Sequence, residues 1–287
     1  MSKHALILLL CSAAFSAQGQ LHSDSLLIEG HYRIFHFQKP AQTNPTLIFI
    51  LHGSGGSGLQ IRPGAKKLEA IAPAENLLLA YPDGYKKYWN ECRKTAPSAA
   101  NVENINENAF FEAMLNYFKE RYQMNEKRVF AVGTSGGGHM TYKLALTMPE
   151  RFRAITAIIA NLPDTNNLDC PEKRIAIPVQ IINGTADNVN PYEGGEVKSS
   201  PQMNLGFVRS TDRTFQYWSS LAGYKRKPRM KSLPDTDPTD GKTIERYTFR
   251  KRGKPEVTLL KVIGGKHDYP NDIDMYLEAW SFFKRQL

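Results

Sequence analysis

Hydrophobic and polar positions along the 287 residues switch repeatedly between two periods. From His31 to Phe37 the pattern alternates in twos, as a half-buried edge strand does. Thr46 to Leu51 is an unbroken apolar run, fit for a strand covered on both faces. Shorter runs of the same kind lie at Leu77 to Tyr81, Arg128 to Val132, Ala154 to Ile159, Val179 to Ile182 and Val257 to Ile263. Helical spacing separates them. Val102, Ile105, Ala109, Phe110, Ala113, Met114, Tyr117 and Phe118 recur every three or four residues. A second helix is expected from just after Ser135 to Met148, where Pro149 helps to end it. Thr211 to Leu221 and Ile273 to Phe283 complete the set. Strand and helix in alternation predict a mostly parallel central sheet with helices on both faces, an α/β fold in one domain over residues 26–287.

Residues 1–19 stand outside that pattern. Lys3 and His4 precede an apolar run from Ala5 to Phe15, and Ala17-Gln18-Gly19 offers small residues for a peptidase. The run is too short to span a bilayer, so a cleaved export signal and a secreted or periplasmic protein are expected, with no stable membrane insertion afterwards. Cleavage removes Cys11 and leaves Cys92 and Cys170, which the sequence leaves either bridged or free. No Cys/His group has metal-ligand spacing.

The net charge is +9, with much of the excess in Lys225 to Arg229 and Arg250 to Arg252. No recognition motif accompanies it, so a solvated face is expected and not a nucleic-acid surface. Asp235, Asp237 and Asp240 lack the spacing of a calcium loop, and residues 225–243 read as a solvated surface loop.

Three segments carry chemistry. Arg128 to Val132 leads through Gly133-Thr134-Ser135-Gly136-Gly137 into a helix. In that setting G-x-S-x-G makes a strained turn that lifts the serine above the sheet, facing the positive end of the following helix. Ser135 is the candidate nucleophile, and a hydroxyl needs a base. Among seven histidines, His267 sits in Gly264-Gly265-Lys266-His267-Asp268, a flexible loop between a buried strand and the last helix. His139 lies on the same helix as Ser135 and is expected only to pack. Asp187, in Gly184-Thr185-Ala186-Asp187 after another strand, would orient the imidazole. Glu193 is a fallback, and Asp268 is too close to His267 in sequence. An oxyanion hole is expected from the N–H of Gly136 and that of Gly53 or Ser54, in the glycine-rich loop after Leu51, with His52 bracing it.

That loop, Gly53-Ser54-Gly55-Gly56-Ser57-Gly58, also spells the G-x-G-x-x-G of a dinucleotide site, with Asp83 at a suitable distance. Asp83 belongs to a Tyr81-Pro82-Asp83-Gly84 turn, however, and a cofactor reading leaves Ser135, Asp187 and His267 unexplained. No cofactor and no metal are expected.

Together His52-Gly53, Tyr81 to Gly84, Trp89-Asn90, Gly133 to Gly137, Gly184 to Asp187, Pro191 to Gly195 and Gly264 to His267 resemble one branch of the α/β-hydrolases. It holds the feruloyl and acetylxylan esterases and polyhydroxybutyrate depolymerase-like proteins. The resemblance implies the α/β-hydrolase fold, a Ser-Asp-His order along the chain and an ester substrate, polysaccharide-linked or hydroxyalkanoate. It also implies that Trp89 and Tyr192 lie by the pocket, where either could stack on a sugar or phenolic ring. The chain departs from the family where Asn106-Glu107-Asn108 stands in place of an acidic pair, and where Thr134 precedes the serine. A peptidase of the same fold and a non-catalytic binding protein on this scaffold are the alternatives.

Overall fold

The computed structural model describes residues 20–200 and 203–287; the expected export segment lies outside them. Twelve strands form: β1 (Leu21–Ile28), β2 (His31–Gln38), β3 (Thr46–Leu51), β4 (Leu77–Pro82), β5 (Val129–Thr134), β6 (Ala154–Ile158), β7 (Val179–Gly184), β8 (Gly195–Ser200), β9 (Met203–Val208), β10 (Arg229–Ser232), β11 (Thr243–Phe249) and β12 (Val257–Ile263). Ten make one sheet in the order β1-β2-β4-β3-β5-β6-β7-β12-β11-β10, while β8 and β9 pair separately.

The six strands from β4 to β12 in that order run parallel, and antiparallel pairs close both ends. The parallel strands β3, β4, β5, β6 and β7 are buried along their whole length. Helices sandwich the sheet. Helices Glu107–Tyr122, Gly136–Thr147 and Thr211–Leu221 cover one face, where Phe111 and Phe118 meet Phe49 and Trp218 stacks on Tyr142. Met275–Lys284 lays Trp280 and Phe283 against Phe130 on the other. Each such ring contributes about 1.5–3 kcal/mol by leaving water.

Three expectations need correction. His31 to Phe37 is not the edge, because β1 pairs outside it from Leu21 to Ile28; the ordered fold therefore starts before residue 26. The long helix begins at Glu107 and not Val102, because the Asn106 side chain caps it by accepting from Ala109 N–H. Residues 225–243 do not form a plain solvated loop: they supply β10 and the connection to β11, which extend the sheet beyond β12. The two basic clusters meet, exposed, at the end of this β10–β11 ribbon where Arg229 pairs with Thr248. Cys92 and Cys170 are joined in a disulfide, with Cα atoms 5.1 Å apart. Among the described residues no helix is long and apolar enough to cross a membrane.

Candidate active site

Parallel strands deliver their following loops to one edge of the sheet, and the loops after β3, β5, β7 and β12 meet there. Ser135 follows β5 directly with φ 55° and ψ −117°, a conformation that side chains rarely adopt. The glycines around it are sterically required. A Cβ on Gly133 would lie 2.2 Å from the Gly137 carbonyl oxygen, and one on Gly137 would lie 2.2 Å from that of Leu51. The turn is thus pressed between its own helix and β3.

His267 and Asp187 complete a hydrogen-bonded line. His267 Nε2 stands 3.0 Å from Ser135 Oγ, and His267 Nδ1 stands 2.8 Å from Asp187 Oδ2. Because the carboxylate can only accept, Nδ1 carries the proton, and Nε2 of the neutral ring accepts from the serine hydroxyl. Asp187 is buried, and its other oxygen accepts from the N–H groups of Val189 and Asn190, at 2.8 Å each. The loops of acid and base are tied together: Gly264 N–H donates to Thr185 Oγ1 at 2.9 Å, and Ala186 N–H to the Gly265 carbonyl at 2.8 Å. Glu193 is exposed, and Asp268 accepts from Lys242 and from Lys266 N–H, so neither takes the place of Asp187.

Next to the serine the glycine-rich loop after β3 packs against the first turn of the following helix. A Cβ on Gly136 would be 2.5 Å from Ser54 Oγ and 2.8 Å from Ser54 N, so the two backbone segments touch there. Gly136 opens the helix, whose first turn adds positive potential. His52 fixes the opposite wall. Its Nε2 accepts from Gly84 N–H at 2.9 Å, which leaves Nδ1–H to donate to the Gly53 carbonyl at 2.7 Å. Burial holds this imidazole below its ordinary pKa, which keeps the accepting nitrogen free of a proton.

The dinucleotide reading fails on the same loop. Gly58 N–H donates to Asp83 Oδ1 at 2.6 Å, and Asp83 also meets His36 at 3.5 Å. The acid expected to read a ribose is therefore spent inside the protein.

Trp89 and Tyr192 do not stand where the resemblance implied. Trp89 is 2% exposed, donates its indole N–H to the His52 carbonyl at 2.9 Å and lies against the His52 ring. Tyr192 is 3% exposed and donates its hydroxyl to Asp212 at 3.0 Å. Both are braces, one under the oxyanion loop and one under the acid loop. His139 packs fully within the protein; burial first and then the nearby Arg93 guanidinium push its pKa well down.

Sequence reading missed Tyr269 and Thr134, whose hydroxyls lie 2.8 Å apart beside the serine. Only their places next to His267 and Ser135 hinted at a contact. A cavity of about 850 Å³ lies away from this chemistry, at the opposite end of the strands among Arg128, Arg151, Arg153 and Lys254.

Comparisons with known proteins point the same way. The model of the prolyl oligopeptidase family matches residues 104–193, which hold Ser135 and Asp187. Over 207 residues the chain is 25% identical to feruloyl esterase B of Neurospora crassa, covering 67% of this chain and 70% of that one. Acetylxylan esterase A of Talaromyces purpureogenus is 24% identical over 228 residues, 72% of this chain and 58% of that one. Among solved structures, an acetyl xylan esterase from Aspergillus awamori matches with a TM-score of 0.62 at 16% identity, covering 93% of this chain and 99% of that one. The chain is an α/β-hydrolase esterase. In this esterase the site just described sits at the sheet edge reached by the β5, β7 and β12 loops.

Proposed function

We propose that Ser135, His267 and Asp187 are the catalytic triad, and that the substrate is an acetyl or feruloyl ester carried on a cell-wall polysaccharide. The observation that carries the first part is the line from Ser135 Oγ through the His267 ring to Asp187, set on a strained elbow. Ser135 Oγ attacks the ester carbonyl as His267 Nε2 takes its proton. The N–H groups of Gly136 and Ser54 hold the developing oxyanion, and Asp187 keeps the imidazolium oriented. His267 then protonates the departing alcohol. Water, deprotonated by the same nitrogen, releases the acid and restores the serine. The substrate class draws support from the names of the relatives, feruloyl esterase and acetylxylan esterase. Export draws support from the N-terminal pattern and the disulfide.

A peptidase reading draws on the family match at residues 104–193. That stretch holds the elbow and the acid loop, which esterases and peptidases of this fold share, and it stops short of the base. Turnover of nitrophenyl acetate, methyl ferulate and acetylated xylan, beside dipeptide anilides, separates the two. We expect ester hydrolysis, and a loss of at least about 10³-fold in kcat in a folded Ser135→Ala. Unchanged turnover in that variant overturns the triad, and cleavage of the anilides alone overturns the substrate class.

A further inference from the structure

The loop from Gly264 to Asp274 carries His267, and its two halves are held differently. The first half is bonded to the acid loop through Thr185 and Ala186. The second half rests on the connection between β10 and β11, residues 233–242. Lys242 Nζ donates to Asp268 Oδ1 at 3.1 Å and to the Tyr269 carbonyl at 3.4 Å. Asn271 donates its N–H to Asp240 Oδ2 at 3.2 Å and its side-chain amide to Asp237 Oδ2 at 2.7 Å. In the other direction, Asp272 Oδ1 accepts from Thr236 N–H at 2.6 Å, Thr236 Oγ1 at 3.1 Å and Asp237 N–H at 3.1 Å. These bonds hold the Asp272 carboxyl below the usual carboxylate range, the Thr236 N–H most of all.

We propose that the β10–β11 connection positions the base of the reaction, with Asp272 and Asn271 as positioning residues; the proposal rests on reading His267 as that base. A loop of irregular backbone beginning with two glycines has many conformations, and fixing each residue costs about 1–2 kcal/mol. Single exposed ion pairs would do little against that. Here donors and acceptors interlock, so the segment cannot slide along the ribbon without breaking several bonds together. The same segment carries Tyr269, whose hydroxyl meets Thr134 beside the nucleophile. A shift of Asp268 to Asp272 therefore moves the imidazole relative to Ser135, and a misplacement of about 1 Å can cost about a hundredfold in rate. The acidic run Asp235 to Asp240 thereby acquires a structural role. Two of its carboxylates, Asp237 and Asp240, hold the loop of the base, and neither needs a cation to do so.

The test compares Asp272→Ala, Asn271→Ala, their double variant and Asp272→Asn on nitrophenyl acetate. We expect kcat to fall about tenfold in the double variant, with KM changed less than about twofold. Asp272→Asn should recover most of the rate, because its carbonyl oxygen can accept the same three bonds as Oδ1. Wild-type kcat in the double variant overturns the proposal, as does an Asp272→Asn as slow as Asp272→Ala. Should the double variant fail to fold, the Ala and Asn forms of Asp272 decide by the same rate difference. Failure of the triad itself shows separately, as activity that survives Ser135→Ala.

Discussion

Ser135 Oγ and His267 Nε2 sit 3.0 Å apart, yet the molecule holds the two residues by opposite means. The elbow at Ser135 is fixed by exclusion: backbone closes on backbone, leaving no room for a side chain at Gly133 or Gly137. The loop of His267 is fixed by attraction, through polar groups contributed by the β7 loop on one side and the β10–β11 connection on the other. Steric fixing is local and all-or-none. Polar fixing is distributed, so it can be weakened by steps without unfolding the domain.

Three substitutions or conditions probe that contrast. The largest effect is expected at the junction of the two regions. In Asp187→Asn the amide N–H donates to His267 Nδ1 and so puts the ring proton on Nε2, facing Ser135 Oγ. Steady-state hydrolysis should slow about 10³–10⁴-fold with folding intact, and a loss of less than tenfold would mean that Asp187 is not what sets the tautomer.

Gly137→Ala comes next and tests the steric side. Its Cβ would lie 2.2 Å from the Leu51 carbonyl oxygen, so urea titration should find the protein destabilised by about 3 kcal/mol. An alanine tolerated at wild-type stability would show that the elbow yields as readily as the base loop.

The last test concerns pH. His52 and His139 are both held neutral, burial being the main cause in each. Their pKa values are lower in the fold than the ordinary 6.5 of the unfolded chain, so the unfolded chain takes up protons first. Stability is full above about pH 6.5 and is lost as pH falls below it, by up to about 1.4 kcal/mol per pH unit for each histidine. Unfolding free energies measured between pH 7.5 and 5 should show this slope, and His139→Gln should flatten it. A level profile would place one of these rings in contact with solvent.

The same contrast explains what could be read in advance. Whatever depends on neighbours in sequence was legible. The apolar runs marked all six parallel strands, and G-x-S-x-G between a strand and a helix marked Ser135. Asp187 and His267 were legible as loop residues after strands, because a parallel sheet sends such loops to one edge. Braces that depend on distant partners were not. The resemblance implied Trp89 and Tyr192 by the pocket; an aromatic residue beside a site fits a core as well, and burial with hydrogen bonds to His52 and Asp212 marks these two as packed. The strands β10 and β11 were hidden because exposed residues in the first and half-exposed ones in the second, such as Arg246 and Thr248, give no apolar run. Asp237 and Asp240 looked like solvated charge, since nothing near them in sequence announces Asn271.

The disulfide has a topological consequence. Cys92 and Cys170 enclose 78 positions of sequence separation, and Ser135 falls inside the ring while Asp187 and His267 fall outside it. A protease that nicks the chain once between the two cysteines cannot release either fragment, so Ser135 stays covalently attached to Asp187 and His267. A single cut outside the ring, between Asp187 and His267, leaves the two sides joined by packing and hydrogen bonds alone. One cleavage within the ring thus leaves Ser135 covalently joined to both Asp187 and His267.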